Sequence, residues 1–268
     1  MLRGKNQKSE GVIFEMKPVK IYLIAALIIL SAMPAFAQES ENAAQAINYN
    51  NQGVKEIKSE KYEAAVKLFN QAIDLQPKYA TAYYNLGSAY YNLGQLEKAE
   101  KALQQVIKLF PAYPEAYNQL GVVYTDLGLY EKAVSSFKEA IRQKSDHKTA
   151  SYNLGCVYIR LQKFKMAGEM LEQAKLIEPD NEEIRLNLGY AYCRQKRYRE
   201  ALEEMQKAVA LKPYDAQANC LLGNIYLLAK DKQSALAQYE KIKLLDSKLA
   251  QQLYEIIYRD KLVVLSYK

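Results

Sequence analysis

The sequence predicts an all-α fold: a right-handed α-solenoid of tandem helix-turn-helix units, closed by a C-terminal capping helix. Three observations carry this. Leu-Gly pairs recur every 34 residues, at Leu86-Gly87, Leu120-Gly121, Leu154-Gly155, Leu188-Gly189 and Leu222-Gly223, and Gln52-Gly53 extends the series upstream. An alanine stands twelve residues after each glycine, from Ala65 to Ala235, and four beyond it comes Phe69, Leu103, Phe137, Leu171, Met205 or Tyr239. Within each period the apolar residues fall at helical spacing in two blocks with a turn between them. A fixed period of this size marks supersecondary units that bury their apolar faces on one another.

The chain opens on a leader. Lys17 and Lys20 precede an apolar run from Ile21 to Ala32, then Pro34 and Ala35-Phe36-Ala37. This is the basic region, apolar region and small-residue cleavage site of a secretory signal peptide, so residues 1–37 are expected to be removed. Met16 reads as the natural start, and no cysteine follows the cleavage site to take a lipid. The alternative is an uncleaved anchor, for which the uncharged stretch Ile21–Ala37 is short and is interrupted by Pro34. Export to a bacterial periplasm, or secretion, is the expected location. Residues 38–45 form a short lead-in.

Six units follow, at 46–79, 80–113, 114–147, 148–181, 182–215 and 216–249. In the second, Tyr83, Leu86, Tyr90 and Leu93 lie on one helical face, which Gly94 ends. A second helix carries Leu96, Ala99, Leu103, Val106 and Ile107 and stops before Pro111. Gly87 sits mid-helix, where it costs about 1 kcal/mol against alanine; close approach of a neighbouring helix would offset that. Gly128 matches Gly94 in the third unit, but Gln162, Lys196 and Lys230 replace it later. Residues 250–268 read as a capping helix and tail; the amphipathic helix itself runs over 247–260, with Leu249, Leu253, Ile256 and Ile257 on the inner side. Val263, Val264 and Leu265 are too apolar to stand in water, so they are expected to pack back or to touch another chain.

These columns resemble the tetratricopeptide repeat, whose pattern is W-x2-L-G-x2-Y, then A-x3-F, then A, then P. The resemblance covers nearly all of the chain after the leader. The family tryptophan is Tyr49, Tyr83 and Tyr117 in the first three units and Ser151, Arg185 and Asn219 in the last three, which predicts looser packing there. The resemblance implies a concave groove lined by positions 2, 5, 9, 12 and 13 of each unit's first helix. On this sequence those positions include Tyr84, Tyr91, Tyr152, Tyr190, Arg160, Arg194, Asn50, Asn118, Leu186 and Cys220. Tyrosines with few charges of mixed sign suit a peptide or a partner helix better than a phosphate backbone. The formal charge of +7 falls to about +4 beyond the leader, with both signs interspersed, so nucleic acid is not an expected partner.

An asparagine recurs at position 6: Asn51, Asn85, Asn153 and Asn187. The column resembles the asparagine ladder of the O-linked GlcNAc transferase repeat domain, which implies a hold on peptide backbone. Two other readings stay open: the position tolerates any polar residue, or the amide bonds a neighbouring unit. The carboxylate clamp of chaperone-binding relatives is missing, because no unit has Lys at position 5 with Asn at 9.

Chemistry finds little foothold. Cys156, Cys193 and Cys220 are expected as free thiols on the groove wall, without zinc-like spacing. His147, the one histidine, is expected as a surface turn residue, too isolated to serve a nucleophile. No catalytic residue, cofactor or metal is expected. The sequence therefore predicts a non-enzymatic scaffold gripping a peptide or helix of another protein. The alternatives are an accessory subunit of an envelope enzyme or of a secretion or pilus assembly machine, or a structural protein that self-associates through its tail. Membrane contact is expected only if the leader is retained.

Overall fold

The computed structural model describes residues 18–259, with side chains from 37 to 258. The expected start at Met16 and the tail at Val263–Leu265 lie outside the described residues, as do the side chains of the leader's apolar run.

The described residues form thirteen helices: α1 (Pro18–Lys58), α2 (Tyr62–Leu75), α3 (Ala80–Asn92), α4 (Leu96–Leu109), α5 (Pro114–Asp126), α6 (Tyr130–Gln143), α7 (Lys148–Arg160), α8 (Phe164–Ile177), α9 (Glu182–Arg194), α10 (Tyr198–Leu211), α11 (Ala216–Leu228), α12 (Lys232–Lys243) and α13 (Ser247–Arg259). Each odd helix pairs with the even helix after it, and each even helix packs on the next odd one. This is the tandem helix-turn-helix repeat that the 34-residue period predicts. The first helices of adjacent units also touch directly, α1 on α3, α3 on α5, α5 on α7 and α7 on α9, whereas the described second helices show no comparable contact with one another. A stack whose first helices stand closer than its second helices bends with the first helices inside.

The core is the periodic set. Ala65, Ala99, Ala133, Ala167, Ala201 and Ala235 are fully buried, and Phe69, Leu103, Phe137, Leu171 and Met205 pack beside them. The mid-helix glycine column makes room for those larger side chains. A Cβ on Gly121 would stand 2.6 Å from the Phe137 ring, closer than any side chain tolerates.

All six intra-unit turns place their fifteenth residue in left-handed backbone. Gly94 and Gly128 do so at φ near +71° and +73°, but Glu60, Gln162, Lys196 and Lys230 adopt the same conformation at φ between +57° and +65°. The turn is imposed by the helix pair it joins, and glycine only makes it cheaper.

Three expectations need correction. Pro34 does not break the chain: α1 continues from Pro18 through the leader and lead-in to Lys58. The alanine-, glutamate- and glutamine-rich stretch 35–46 propagates the helix past the single hydrogen bond a proline removes. His147 is not a surface residue. It is 9% exposed and caps α7, its Nδ1 accepting from the Ala150 amide at 3.3 Å. Units four to six do not loosen: one buried cluster runs from Ala99 to Ile225, across units two to six. The missing aromatic is replaced by polar burial. Ser151 and Asn219 are fully buried, and Arg185 binds the buried carboxylate of Glu204 at 2.7 Å.

The far end is closed by α13. In unit six Tyr239 does not fill the space over the glycine; it stacks on Tyr254 at 5.6 Å instead. Leu253 of α13 takes that space, 2.7 Å from where a Gly223 Cβ would lie. Cys220, Ala235, Ile242, Ala250, Leu253 and Ile257 form the resulting terminal core. Among the described residues no helix is long and apolar enough to cross a membrane.

Candidate peptide-binding groove

The inner wall is built from the first helices, and its tyrosines are fixed by neighbouring side chains of the same or adjacent units. The Tyr84 ring packs 5.5 Å from that of Tyr113, the residue that precedes α5. Tyr91 donates to Asp126 at 2.7 Å, and Tyr152 donates to Glu183 at 3.3 Å. Burial, the hydrogen bond and the Asp126 charge together push the Tyr91 phenol up to about 12, and burial followed by the Cys156 thiol raises that of Tyr152. Both are therefore donors throughout the physiological range.

Tyr190 stands edge-on to Phe164 at 6.2 Å and accepts from Arg194 at 2.8 Å. The Arg194 guanidinium lies 4.3 Å over the Phe164 ring, so it is held flat and pre-oriented. Arg160 and Arg194 are both exposed at position 13 of neighbouring units. The wall thus offers aromatic faces, phenolic donors and a pair of guanidinium groups.

The amide column is engaged within the stack. Asn85 Nδ2 donates to Asn50 Oδ1 at 2.8 Å, Asn153 Nδ2 to Asn118 Oδ1 at 3.3 Å, and Asn187 Nδ2 to Tyr152 Oη at 3.4 Å and to the Glu183 carbonyl at 2.9 Å. Position 6 of one unit therefore bonds position 5 of the unit before it. In unit three, where position 6 is Gln119, its Oε1 accepts from Ser88 at 3.0 Å. Asn51 is exposed on α1, where no earlier unit supplies a position 5. A backbone-holding role for Asn85 and Asn153 would use their carbonyl oxygens.

Three expected wall residues leave the groove, and Asn187 of the amide column is itself buried, at 6% exposed. Asn50 is 4% exposed beneath its bond from Asn85. Leu186 is 5% exposed, and Cys220 is 1% exposed beneath α13. The three cysteines are free thiols. Burial pushes Cys156 and Cys220 up to about 11 and raises Cys193, which favours the protonated thiol over the nucleophilic thiolate in all three. Among the described residues no three His, Cys, Asp or Glu side chains converge as metal ligands.

Of the readings the sequence left open for the amide column, a bond to a neighbouring unit is the one these contacts match; only the partner, position 5 of the preceding unit, was missed, although its signal was present: Asn50 with Asn85 and Asn118 with Asn153 stand 35 residues apart, one more than the period. Sequence reasoning also missed a partly buried ion cluster between α8, α9 and α10. Glu204 binds Lys175 at 2.9 Å as well as Arg185, while Glu172 binds Lys175 at 2.8 Å and accepts from Tyr192 at 2.6 Å.

The sequence matches two family descriptions: the cilia and flagella-associated protein 70 C-terminal domain over residues 53–217, and the tetratricopeptide repeat over 216–249. No curated protein matches it. Among solved structures, the chain is similar to YrrB, described as a TPR protein with an unusual peptide-binding site. The two are 24% identical at a TM-score of 0.64, over 70% of this chain and 97% of that one. It is similar to MamA of Desulfovibrio magneticus RS-1 at 27% identity and a TM-score of 0.60, over 63% of this chain and 96% of the other. It is also similar to PilF of Pseudomonas aeruginosa at 16% identity and a TM-score of 0.69, over 80% and 98%.

Proposed function

The chain belongs to the cilia and flagella-associated protein 70 C-terminal domain family of tetratricopeptide repeats, and from that premise we propose that it is a non-enzymatic scaffold holding an extended peptide segment of another protein along the inner wall of its first helices. The observation that carries this is the wall itself: Tyr84, Tyr91, Tyr152 and Tyr190 face one curved surface, each fixed by a neighbour. Rings that are already ordered lose little freedom when a ligand arrives, which is how tyrosine-rich surfaces gain affinity. Arg160 and Arg194 give the segment its polarity, favouring an acidic side chain opposite units four and five. The leader supports an exported protein of the periplasm or cell envelope, and the same reading accommodates an adaptor role beside an envelope enzyme or assembly machine.

A photo-crosslinking residue at position 91 or 160, exposed to native extract, is expected to capture one linear segment of a partner. The Arg160→Glu, Arg194→Glu double variant is expected to lose at least tenfold in affinity while its melting temperature falls only by the loss of the Arg194 contacts to Phe164 and Tyr190, a drop that Arg194→Ala alone should reproduce. Undiminished capture by that variant would discard the groove as the site.

A further inference from the structure

The turn that joins the two helices of each unit changes character halfway along the chain. From the last residue of the first helix to the second residue of the second, the turns of units one to three read KSEKYE, NLGQLE and DLGLYE, residues 58–63, 92–97 and 126–131, with two cations against five anions. Those of units four to six read RLQKFK, RQKRYR and LAKDKQ, residues 160–165, 194–199 and 228–233, with nine cations against Asp231 alone. All nine residues are exposed, and among the described residues only Arg197 joins an ion pair, with Glu200 at 2.9 Å. The turns lie side by side: Gln195 donates to the Phe164 carbonyl at 2.9 Å, and the Arg194 guanidinium covers the Phe164 ring. Unit six continues the edge, because α11 packs on α10.

Two features of this edge run against stability. The second residue of the second helix is Glu63, Glu97 and Glu131 in units one to three, where an anion suits the positive end of a helix, but Lys165 and Arg199 in units four and five. The left-handed turn position is glycine in units two and three but Lys196 and Lys230 in units five and six, held at a positive φ that glycine would take without cost. Cations kept where the fold disfavours them point to a use outside the fold.

We propose that the turn edge of units four to six docks on an anionic lipid surface, its cations meeting head-group phosphates. Shape selects a membrane. The nine cations stand in the turns or within two residues of them, so along the helices their backbone differs in depth by only about 3 Å at 1.5 Å per residue. A plane laid on the edge brings all of them within the roughly 8 Å over which charges act at physiological salt. A chain lying in the groove meets only Arg160 and Arg194, the two that belong to the wall. Stacking on nucleobases is not the attraction: the rings beside the edge, Phe164 and Tyr192, are covered by Arg194 and Arg197 at 4.3 and 4.2 Å. Lys163, Lys196 and Lys230 lie outside the groove wall, so the edge can be tested apart from it.

The test is flotation of the full chain with vesicles of phosphatidylcholine, with and without phosphatidylglycerol; the leader contributes alike to parent and variants. The parent is expected to bind the anionic vesicles more tightly, and added salt to weaken that gain. A cation near an anionic surface contributes about fivefold in binding, so Lys163→Glu, Lys196→Glu, Lys230→Glu is expected to lose about a hundredfold. Glu60 already holds the same left-handed conformation, so the fold tolerates glutamate there. Lys196→Gly, Lys230→Gly separates binding from folding: it is expected to melt higher than the parent yet bind about twenty-fivefold more weakly. Both variants are expected to keep crosslinked capture at position 91, so a failure at the edge leaves the groove standing. The proposal is overturned if phosphatidylglycerol adds nothing to the parent's binding, if either variant binds the anionic vesicles undiminished, or if a DNA duplex at equal phosphate concentration is bound as tightly as those vesicles.

Discussion

Asn85 hands its amide hydrogen to Asn50 across the junction between the first two units, at 2.8 Å, and Asn50 is 4% exposed. Replacing Asn85 with alanine leaves a buried amide oxygen without its donor. The expected loss is about 1–3 kcal/mol in urea unfolding, and an Asn50→Ala, Asn85→Ala cycle should recover a coupling between the two sites. Alanine at Asn51 is expected to change stability by less than about 0.5 kcal/mol, because that amide is exposed and has no earlier unit to bond.

Gln162, Lys196 and Lys230 hold left-handed backbone that glycine adopts without penalty. Relieving about 1–2 kcal/mol of strain while adding glycine's unfolded-state entropy of about 0.5–1 kcal/mol leaves a net gain. Each change to glycine is expected to raise the melting temperature, and the three together should act additively.

Burial pushes the His147 imidazole below its ordinary value. Between that lowered value and about 6.5 the unfolded chain binds the proton that the folded one refuses, so stability rises with pH in that window and falls on acidification. Urea midpoints at pH 7.5 and 5.5 should differ for the parent. The difference should shrink for His147→Asn, which keeps a capping side chain at α7 and cannot titrate.

Glu204 sits between Lys175 and Arg185, with its side chain 6% exposed and theirs 20% and 12%. Glu204→Ala takes the carboxylate from the partly buried Arg185 and leaves Lys175 only Glu172, and about 3 kcal/mol of destabilisation is expected, with little dependence on salt.

Leu253→Ala should loosen α13 from the last unit by about 2–5 kcal/mol. Cys220 reports it: the buried thiol is expected to react slowly with an aromatic disulfide reagent in the parent and much faster in the variant.

The helices, their pairing and the glycine column were legible because each depends on apolar spacing within one unit. The left-handed turn was legible only at Gly94 and Gly128, since in the other units the helix pair forces the conformation on residues that do not advertise it. The amide's bond to a neighbouring unit was among the readings left open, but its partner escaped because it is a property of docking, visible only when α3 is laid on α1. His147 was misjudged for a related reason: a polar turn between units is walled in by the helices it joins. Cys220 left the groove because α13 folds over it, an arrangement that the amphipathic pattern of residues 247–260 announces without saying where the helix lands.

The unbroken course of α1 bears on how this protein is aimed. A flexible tether would let the curved wall swivel, but here the lead-in and the first groove helix are a single rod that advances about 1.5 Å per residue. Whatever grips the lead-in, residues 38–45, therefore fixes both the distance and the bearing from which the tyrosine wall meets its target.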